Sequence, residues 1–482
     1  MGKARKLSVF ISVLVACVLG VTLLASCSKA GVDTAANTPV EGNATVSENT
    51  TDTAAVDSSG NTSEEPKPIE LIGGVASETE ASGTAAITHN TDTTTTDEVF
   101  TSSKADENAL RVEGGAKVTL NNLTVNKTGN TSNIGNSEAY GMNAGILVRN
   151  GGELAATGGN VNTDAAGASG VFVYNAGSST TIAGAIITTK GNNSNGIAVA
   201  GGGNMHAINL YLTTRGNASP AISNNQGGGV LEVSQGSFTT TGIGSPALYS
   251  NAAVSVANAK LLACKSQAVI IEGQGSVVLD NCDISGYETQ QSNSSTSSAL
   301  AGVEGKATDW MSSEDLQTVL LYQGASADGS KGNTSFSMTG GKLTSKNGDV
   351  FHVTNANASI YLSRATLNNP VGRLLTVTGN DGSQGWGQPG SNGGSCNFAA
   401  SSQVLSGDIV VDDTSSLNIN LTDGTVFTGN ILSGTSGTVS MKLSSDSTWS
   451  LSNDVYLSSF DGSINNIVTN GYHVYVGGEA IN

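Results

Sequence analysis

Two stretches of the sequence contain residue types that commonly bind ligands. Asp309, Glu314 and Asp315 lie close together in the chain, and carboxylate oxygens are the ligands that Ca²⁺ prefers. Trp310 stands in the same stretch, and Trp386 lies between two glycines farther along; an exposed indole ring can stack on a sugar. The sequence thus predicts a candidate calcium site and a candidate sugar-binding pair. The alternatives are a solvated acidic helical turn and tryptophans that each fix their own loop.

Support for catalysis is weaker. Polysaccharide lyases use carboxylates that bind Ca²⁺ with an Arg or Lys base beside them, and glycosidases use two carboxylates at a fixed separation. Charged residues such as Arg111, Lys190 and Glu232 show no partner at a matching position in the sequence. The histidines lie far apart, and His206 and His352 are expected to be solvated strand residues. We therefore expect no enzyme activity, with a polysaccharide lyase or glycoside hydrolase as the alternative.

The start of the chain has the features of an export signal. Positive charges within residues 3–6 precede an apolar run over residues 7–24, and two small residues lead into Cys27. This order resembles the bacterial lipobox, in which the chain is cut before the cysteine and its thiol carries diacylglycerol. We expect residues 1–26 to be a lipoprotein signal peptide and Cys27 to anchor the exported protein to a membrane. An ordinary signal peptide with a chance cysteine is the alternative.

Residues 27–83 have the composition of a disordered, acidic tether. Between Asp33 and Glu80 ten acidic residues face only Lys29 and Lys67, and no aromatic residue is present. Such a segment cannot bury enough apolar surface to offset the entropy of ordering it. The net charge of the whole chain is −18, so nucleic acid is not an expected partner, because phosphate binding needs a basic face.

A repeat of 21 to 26 residues organises the remainder, residues 84–482. Apolar runs alternate with segments rich in Gly, Asn and Ser, which is typical of strands, and a fixed period in this range indicates a solenoid. Successive runs begin at Gly145, Gly170, Gly196, Ala221, Ala247 and Ala268. A low content of charged residues (12%) and 62 glycines fit tight, repeated corners.

A second motif inside each repeat predicts how the strands are joined. In Val118 to Val125, alternation places Leu120, Leu123 and Val125 on one face, and Asn122 interrupts the alternation. We expect two strands to meet at this residue, since Asn and Gly tolerate left-handed backbone angles. With the opening run, each repeat then supplies three strands that stack in parallel. Asn at this corner is expected to form an amide ladder at residues 122, 209, 258 and 281.

The chain resembles the right-handed parallel β-helix proteins of bacterial cell surfaces, which are adhesin-like and grouped with the pectin-lyase-like solenoids. The resemblance rests on residues 106–110 and 141–144, on Thr-Gly-Gly turns at 157–159 and 339–341, and on glycine-rich segments at 385–387 and 390–394. It implies one all-β, right-handed parallel β-helix over residues 84–482. It also implies binding or display of glycan or protein ligands at the cell surface, with a purely structural spacer as the alternative.

Three insertions break the period, at residues 126–140, 287–318 and 379–396, and loops that interrupt a solenoid commonly carry its function. The first two follow the last strand of a repeat and the third follows the opening strand. Cys282 occupies an inward position and is expected to be buried. Pairing is left open for the three cysteines after the predicted anchor, which are Cys264, Cys282 and Cys396.

Overall fold

Stacked parallel strands make up most of the regular structure in the described part of the chain. The computed structural model describes residues 77, 79–288, 316–324, 330–382 and 386–482. Within these residues, strands of the two longest sheets pair in parallel with the equivalent strand one repeat later. The fold is an all-β parallel β-helix, as predicted. The predicted signal peptide at residues 1–26, the anchor Cys27 and most of the tether at residues 27–83 lie outside the described residues.

The first strand of each repeat belongs to one sheet, called the opening sheet here, and one turn of the coil is called a rung. The opening sheet has thirteen strands. They are Thr84–His89, Glu107–Val112, Ile146–Val148, Val171–Tyr174, Ile197–Ala200, Ile222–Asn224, Leu248–Ser250, Val269–Glu272, Gln317–Tyr322, Asp349–Thr354, Arg373–Val377, Asp408–Val411 and Ile431–Ser433.

Except in the C-terminal rungs, the two strands beside each predicted corner belong to a second sheet, called the flanking sheet. In four rungs they are fused into one bent strand of 12 residues. The twenty strands are Thr93–Thr96, Val99–Ser102, Lys117–Thr128, Glu153–Asp164, Ser179–Ala183, Ile186–Thr189, Gly203–Thr214, Gly229–Thr240, Ala253–Ala257, Lys260–Ala263, Ser276–Asp280, Asp283–Gly286, Gly332–Thr339, Lys342–Ser345, Ala356–Ser363, Thr366–Asn368, Ser395–Ser401, Ser416–Thr422, Thr438–Leu443 and Ser459–Asp461.

Two small sheets complete the C-terminal rungs. One contains Val404–Ser406, Val426–Thr428, Thr448–Ser450 and Ile467–Val468, and the other contains Val455–Leu457, Val474–Val476 and Glu479–Ala480. The last two strands pair antiparallel, so the chain turns back on itself at the end of the stack. The described residues also contain the α-helix Ile134–Tyr140 and the 3-10 helix Ile464–Asn466.

Aliphatic side chains fill the interior of the coil in stacked columns. In the strand Lys117–Thr128, Leu120, Leu123 and Val125 are buried and their neighbours alternate outward, as predicted. These residues belong to one cluster that continues through the rungs, and burial of each aliphatic side chain contributes about 1.5–3 kcal/mol. Cys282 points inward, as predicted, and is fully buried. Two buried cysteines are free thiols, Cys282 and Cys396.

The corner between the flanking strands is a single residue with a left-handed backbone. Twelve consecutive rungs place such a residue there, with φ between 50° and 67°: residues 97, 122, 158, 184, 209, 235, 258, 281, 340, 364, 402 and 423. Among the four predicted corner asparagines, the amide ladder is limited to one pair on adjacent rungs, in which Asn281 Nδ2 donates to Asn258 Oδ1 at 2.9 Å. Asn122 donates instead to Asp97 Oδ1 at 2.5 Å. Asn209 lies between Gly184 and Gln235, so the ladder does not reach it.

A Thr-x-Gly-x-x-Ser motif forms the turn that leads back to the opening sheet in three consecutive rungs. The hydroxyls of Thr189 and Thr214 are buried and donate to main-chain carbonyls five residues later, at 2.8 Å and 2.6 Å. A Cβ on Gly216 would lie 1.8 Å from the carbonyl oxygen of Gly191 one rung before. The glycines therefore permit the close stacking, and the threonines satisfy polar groups that the turn buries.

Candidate functional site

From Glu107–Val112 to Asp408–Val411, the outer face of the opening sheet is covered, so these strands are buried on both sides. The end strands Thr84–His89 and Ile431–Ser433 are more exposed. Successive strands align Leu147, Phe172, Tyr249, Leu320 and other residues in one outward column. Each of these four side chains is at most 5% exposed. A sheet buried on both faces has continuous apolar runs, which explains the apolar runs that open each repeat. We call this surface the covered face.

The first insertion covers the N-terminal part of this face. The sequence predicted a polar loop, but the structure contains the helix Ile134–Tyr140. The main-chain carbonyl of Glu138 accepts a hydrogen bond from the Asn225 side chain at 3.0 Å. The rings of Tyr140 and Tyr174 meet edge to face, with centroids 5.5 Å apart. The insertion therefore folds back over the opening sheet.

Two tyrosines and a glutamate form a cluster on the middle rungs of the covered face. The hydroxyls of Tyr249 and Tyr322 both donate to Glu272 Oε2, at 2.6 Å and 2.9 Å. Burial and the adjacent Glu272 carboxylate raise the pKa of each tyrosine well above its ordinary value. Both phenols are thus held neutral, and each donates a hydrogen bond to the carboxylate.

Trp386 lies beside this tyrosine–glutamate cluster. Its ring is half-buried and packs on the ring of Tyr322, with centroids 4.5 Å apart. The contact places Trp386, within the third insertion, on the covered face and matches the alternative that this residue fixes its own loop, while Trp386 stays partly accessible. The other predicted ligand-binding residues lie outside the described residues: Asp309, Trp310, Glu314 and Asp315.

The covered face also carries a short row of charges. Arg373 lies between Asp349 and Asp408 on adjacent strands, with its Nη1 3.9 Å from Asp349 Oδ1. The hydroxyl of Thr376 donates to the second oxygen of Asp349. The Asp349 and Arg373 side chains are only 16% and 11% exposed, so this row is shielded from bulk water.

One histidine expectation was wrong. His352, expected to be solvated, is 4% exposed, and its Nε2 lies 3.2 Å from Thr378 Oγ1. The reason is that the residue points outward from the opening sheet, whose outer face is covered. His206 is half-exposed on the flanking sheet, as expected, and its Nδ1 lies 2.9 Å from Glu232 Oε2.

The expectation that charges are isolated was also wrong, because stacking brings distant residues together. Lys190 lies 2.9 Å from Asp164 on the preceding rung, and Arg111 donates to main-chain carbonyls of residues 82 and 84. Similar pairs join Lys117 to Glu153 and Lys442 to Asp461. The pairs on the flanking sheet are exposed, and surface pairs of this kind contribute little stability.

The outer face of the flanking sheet is open, and we call it the open face. Its columns carry mostly Ser, Thr, Asn and Ala side chains that are exposed or half-buried. At its C-terminal end the face forms a groove of about 410 Å³. The groove is lined by Asn397, Phe398, Ala399, Asn418, Ile419, Asn420, Ser440, Met441, Lys442, Ser459 and Asp461.

Hydrogen bonds between rungs order the floor of this groove. Asn418 Nδ2 donates to Asn397 Oδ1 at 3.0 Å, and Ser459 Oγ donates to Ser440 Oγ at 2.9 Å. These bonds join residues 21 and 19 positions apart in the chain, so no local motif marks them. The available signal was the recurrence of Asn and Ser at one strand position in successive repeats.

No group of three or more His, Cys, Asp or Glu side chains among the described residues is arranged to hold a metal ion. The described residues also include no helix long and apolar enough to cross a bilayer. The predicted calcium ligands and lipid anchor lie elsewhere in the sequence, outside these residues.

Comparison with known proteins adds no family assignment. No protein-family model matches the sequence, and no curated protein matches it significantly. The parallel β-helix fold is therefore established by strand pairing alone. Any function must be argued from the two outer faces and from the predicted export signal.

Proposed function

We propose that the protein is a lipid-anchored cell-surface β-helix that binds or displays glycan or protein ligands in an adhesin-like manner. The observation that carries this proposal is the open face, where Ser, Thr and Asn side chains recur at the spacing of stacked strands, about 4.8 Å. A rigid array of this kind supports many weak contacts with an extended ligand, and such contacts combine into useful affinity.

The surface location is part of the same proposal. The lipobox-like sequence before Cys27 supports export and lipid anchoring, and the acidic segment of residues 27–83 supports a spacer between the membrane and the coil. The resemblance to adhesin-like, pectin-lyase-like surface proteins points in the same direction. The ligand would then meet the coil outside the cell.

Binding of the purified protein to glycan arrays and to host and bacterial cells tests this function. We expect retention of specific glycans or cells, and loss of cell attachment when the gene is deleted. Trp386→Ala probes the accessible indole: reduced glycan binding with an unchanged melting temperature would assign Trp386 to the ligand. Absence of ligand binding together with unchanged attachment of the deletion strain would contradict the proposal and leave a structural spacer.

The row Asp349–Arg373–Asp408 supports a second candidate, a polysaccharide lyase or glycoside hydrolase. The two aspartates lie two rungs apart in the same row, and glycosidases likewise use a pair of carboxylates. Against it, the Asp349 and Arg373 side chains are shielded from bulk water, at 16% and 11% exposed, so a polymeric substrate has little access to the row. A calcium-dependent rise in unsaturated-product absorbance on polygalacturonate, abolished by Asp349→Asn, would establish the lyase instead.

A further inference from the structure

The groove at the C-terminal end of the open face has a floor of two side-chain columns. Four consecutive strands contribute one residue to each column, and together they span about 14 Å along the stack. The first column is Asn397, Asn418, Ser440 and Ser459, and the second is Ala399, Asn420, Lys442 and Asp461. The small side chain of Ala399 leaves space above the floor, next to the 40% exposed Tyr361 of the preceding rung.

Bonding within the first column leaves polar groups directed at solvent. Asn418 uses one N–H to bond Asn397 Oδ1, so the carbonyl of Asn418 and the amide N–H groups of Asn397 remain for a ligand. Asn420 is exposed and has no side-chain hydrogen-bond partner among the described residues. The groove thus offers donors and acceptors side by side, which suits a ligand whose own groups both donate and accept, such as a sugar hydroxyl.

The charges in and around the groove favour a neutral ligand over an anionic one. The groove holds one cation and one anion, Lys442 and Asp461, which pair with each other at 3.4 Å. The local charge is therefore balanced, while the whole chain carries −18. Because like charge repels an approaching polyanion, a neutral polymer fits this surface better than an acidic one.

We propose that this groove binds a linear neutral polysaccharide, laid along the stack so that successive sugars meet successive rungs. The inference rests on the proposed binding function and names its ligand class and its site. The rungs repeat about every 4.8 Å, close to the advance of one sugar in an extended chain, so a floor of four rungs matches about three sugars. A volume of about 410 Å³ lies within the range of small-ligand sites.

Calorimetric titration of the intact protein with neutral oligosaccharides tests the proposal. The probes are cello-, chito- and malto-oligosaccharides of two to six sugars, with hexagalacturonate as the anionic comparison. We expect one neutral series to bind, with affinity that rises up to three or four sugars and then levels off. Asn420→Ala should weaken it about three- to tenfold, since one exposed hydrogen bond is lost. Ala399→Arg, which fills the groove, should weaken it more than about tenfold.

Asn357→Ala is the matched control, because Asn357 is exposed on the same sheet but outside the groove. It should leave affinity unchanged, and melting temperatures of all variants confirm folding. Glycan binding that is insensitive to both groove variants, or that prefers hexagalacturonate, would overturn the inference and leave the broader surface-binding function intact. Failure of every neutral series to bind also overturns the inference about the groove. If the protein in addition bound no cells, the proposed surface-binding function would be overturned too.

Discussion

The covered face and the open face arise from the same repeat but have opposite surroundings. Val410 and Val278 both point outward from their sheets, yet Val410 on the covered face is fully buried and Val278 on the open face is 48% exposed. The covered face collects large apolar and aromatic side chains together with a few buried polar groups. The open face carries mostly small polar side chains and exposed ion pairs, with single exposed residues such as Val278 and Tyr211 between them.

The cause of this difference is where the chain can accept an insertion. The corner between the flanking strands is one left-handed residue in twelve rungs, so extra residues there would break the stack. The insertions leave the coil at the two ends of the opening strands, and the described parts of the first and third fold over the opening sheet. The tight corner therefore keeps the open face free for an extended ligand.

A charge placed in the interior that both sheets share should have the largest effect on the stability of the protein. Ile187 is fully buried in the core cluster, so Ile187→Asp places an unpaired carboxylate there and should lower the free energy of unfolding by at least about 4 kcal/mol. Thermal unfolding measures this loss of stability. Thr188→Asp, on the outward neighbour, is the control and should cost far less; equal losses would show that the inward face is wrongly assigned.

The same substitution on the two faces tests the comparison directly. Val410→Ala should lower the free energy of unfolding by about 2 kcal/mol, because buried methyl groups are lost and a cavity remains. Val278→Ala should change it by less than about 0.5–1 kcal/mol, since the side chain is half in water. Both changes remove the same two methyl groups from a strand, so the difference reports burial. Chemical denaturation measures both, and equal values would contradict a covered opening sheet.

Much of the fold could be predicted because its signal is local and repeated. The corner position and the inward residues Leu120, Leu123 and Val125 follow from alternation interrupted by Asn122. The covering of the opening sheet could not be derived in this way, because it depends on loops of irregular sequence. Its one signal was the continuous apolar character of runs such as Val171–Tyr174, which indicates burial on both faces.

The candidate sites were less predictable, because stacking joins residues far apart in the chain. Tyr249, Glu272 and Tyr322 are separated by 23 and 50 residues, and an insertion of irregular length lies between the last two. Asn397 and Asn418 lie one repeat apart, so knowledge of the register would have paired them. Trp386 was found by its residue type, but its contact with Tyr322 depends on how the third insertion folds.

The tyrosine–glutamate cluster should give a stability effect no larger than that of Val410→Ala, and one that depends on pH. Tyr249→Phe removes a hydrogen bond to the Glu272 carboxylate and should lower the free energy of unfolding by about 1–2 kcal/mol at neutral pH. The pKa of Tyr249 is raised in the folded protein by burial and then by Glu272. The stability linked to this phenol is therefore fully present below about pH 10, the ordinary pKa of tyrosine, and is lost as the pH rises above it.

The wild-type protein should accordingly lose stability more steeply above pH 10 than Tyr249→Phe, because its unfolded chain releases the phenolic proton first. Chemical denaturation at pH 8 and at pH 10.5–11 measures the two slopes. Tyr211→Phe is the matched control: Tyr211 is 58% exposed on the open face, so loss of its hydroxyl should leave the free energy of unfolding nearly unchanged. If Tyr249→Phe and Tyr211→Phe changed the free energy of unfolding by the same amount, the tyrosine–glutamate cluster would be accessible to water. The contrast between the covered face and the open face would then not hold for the polar groups of the covered face.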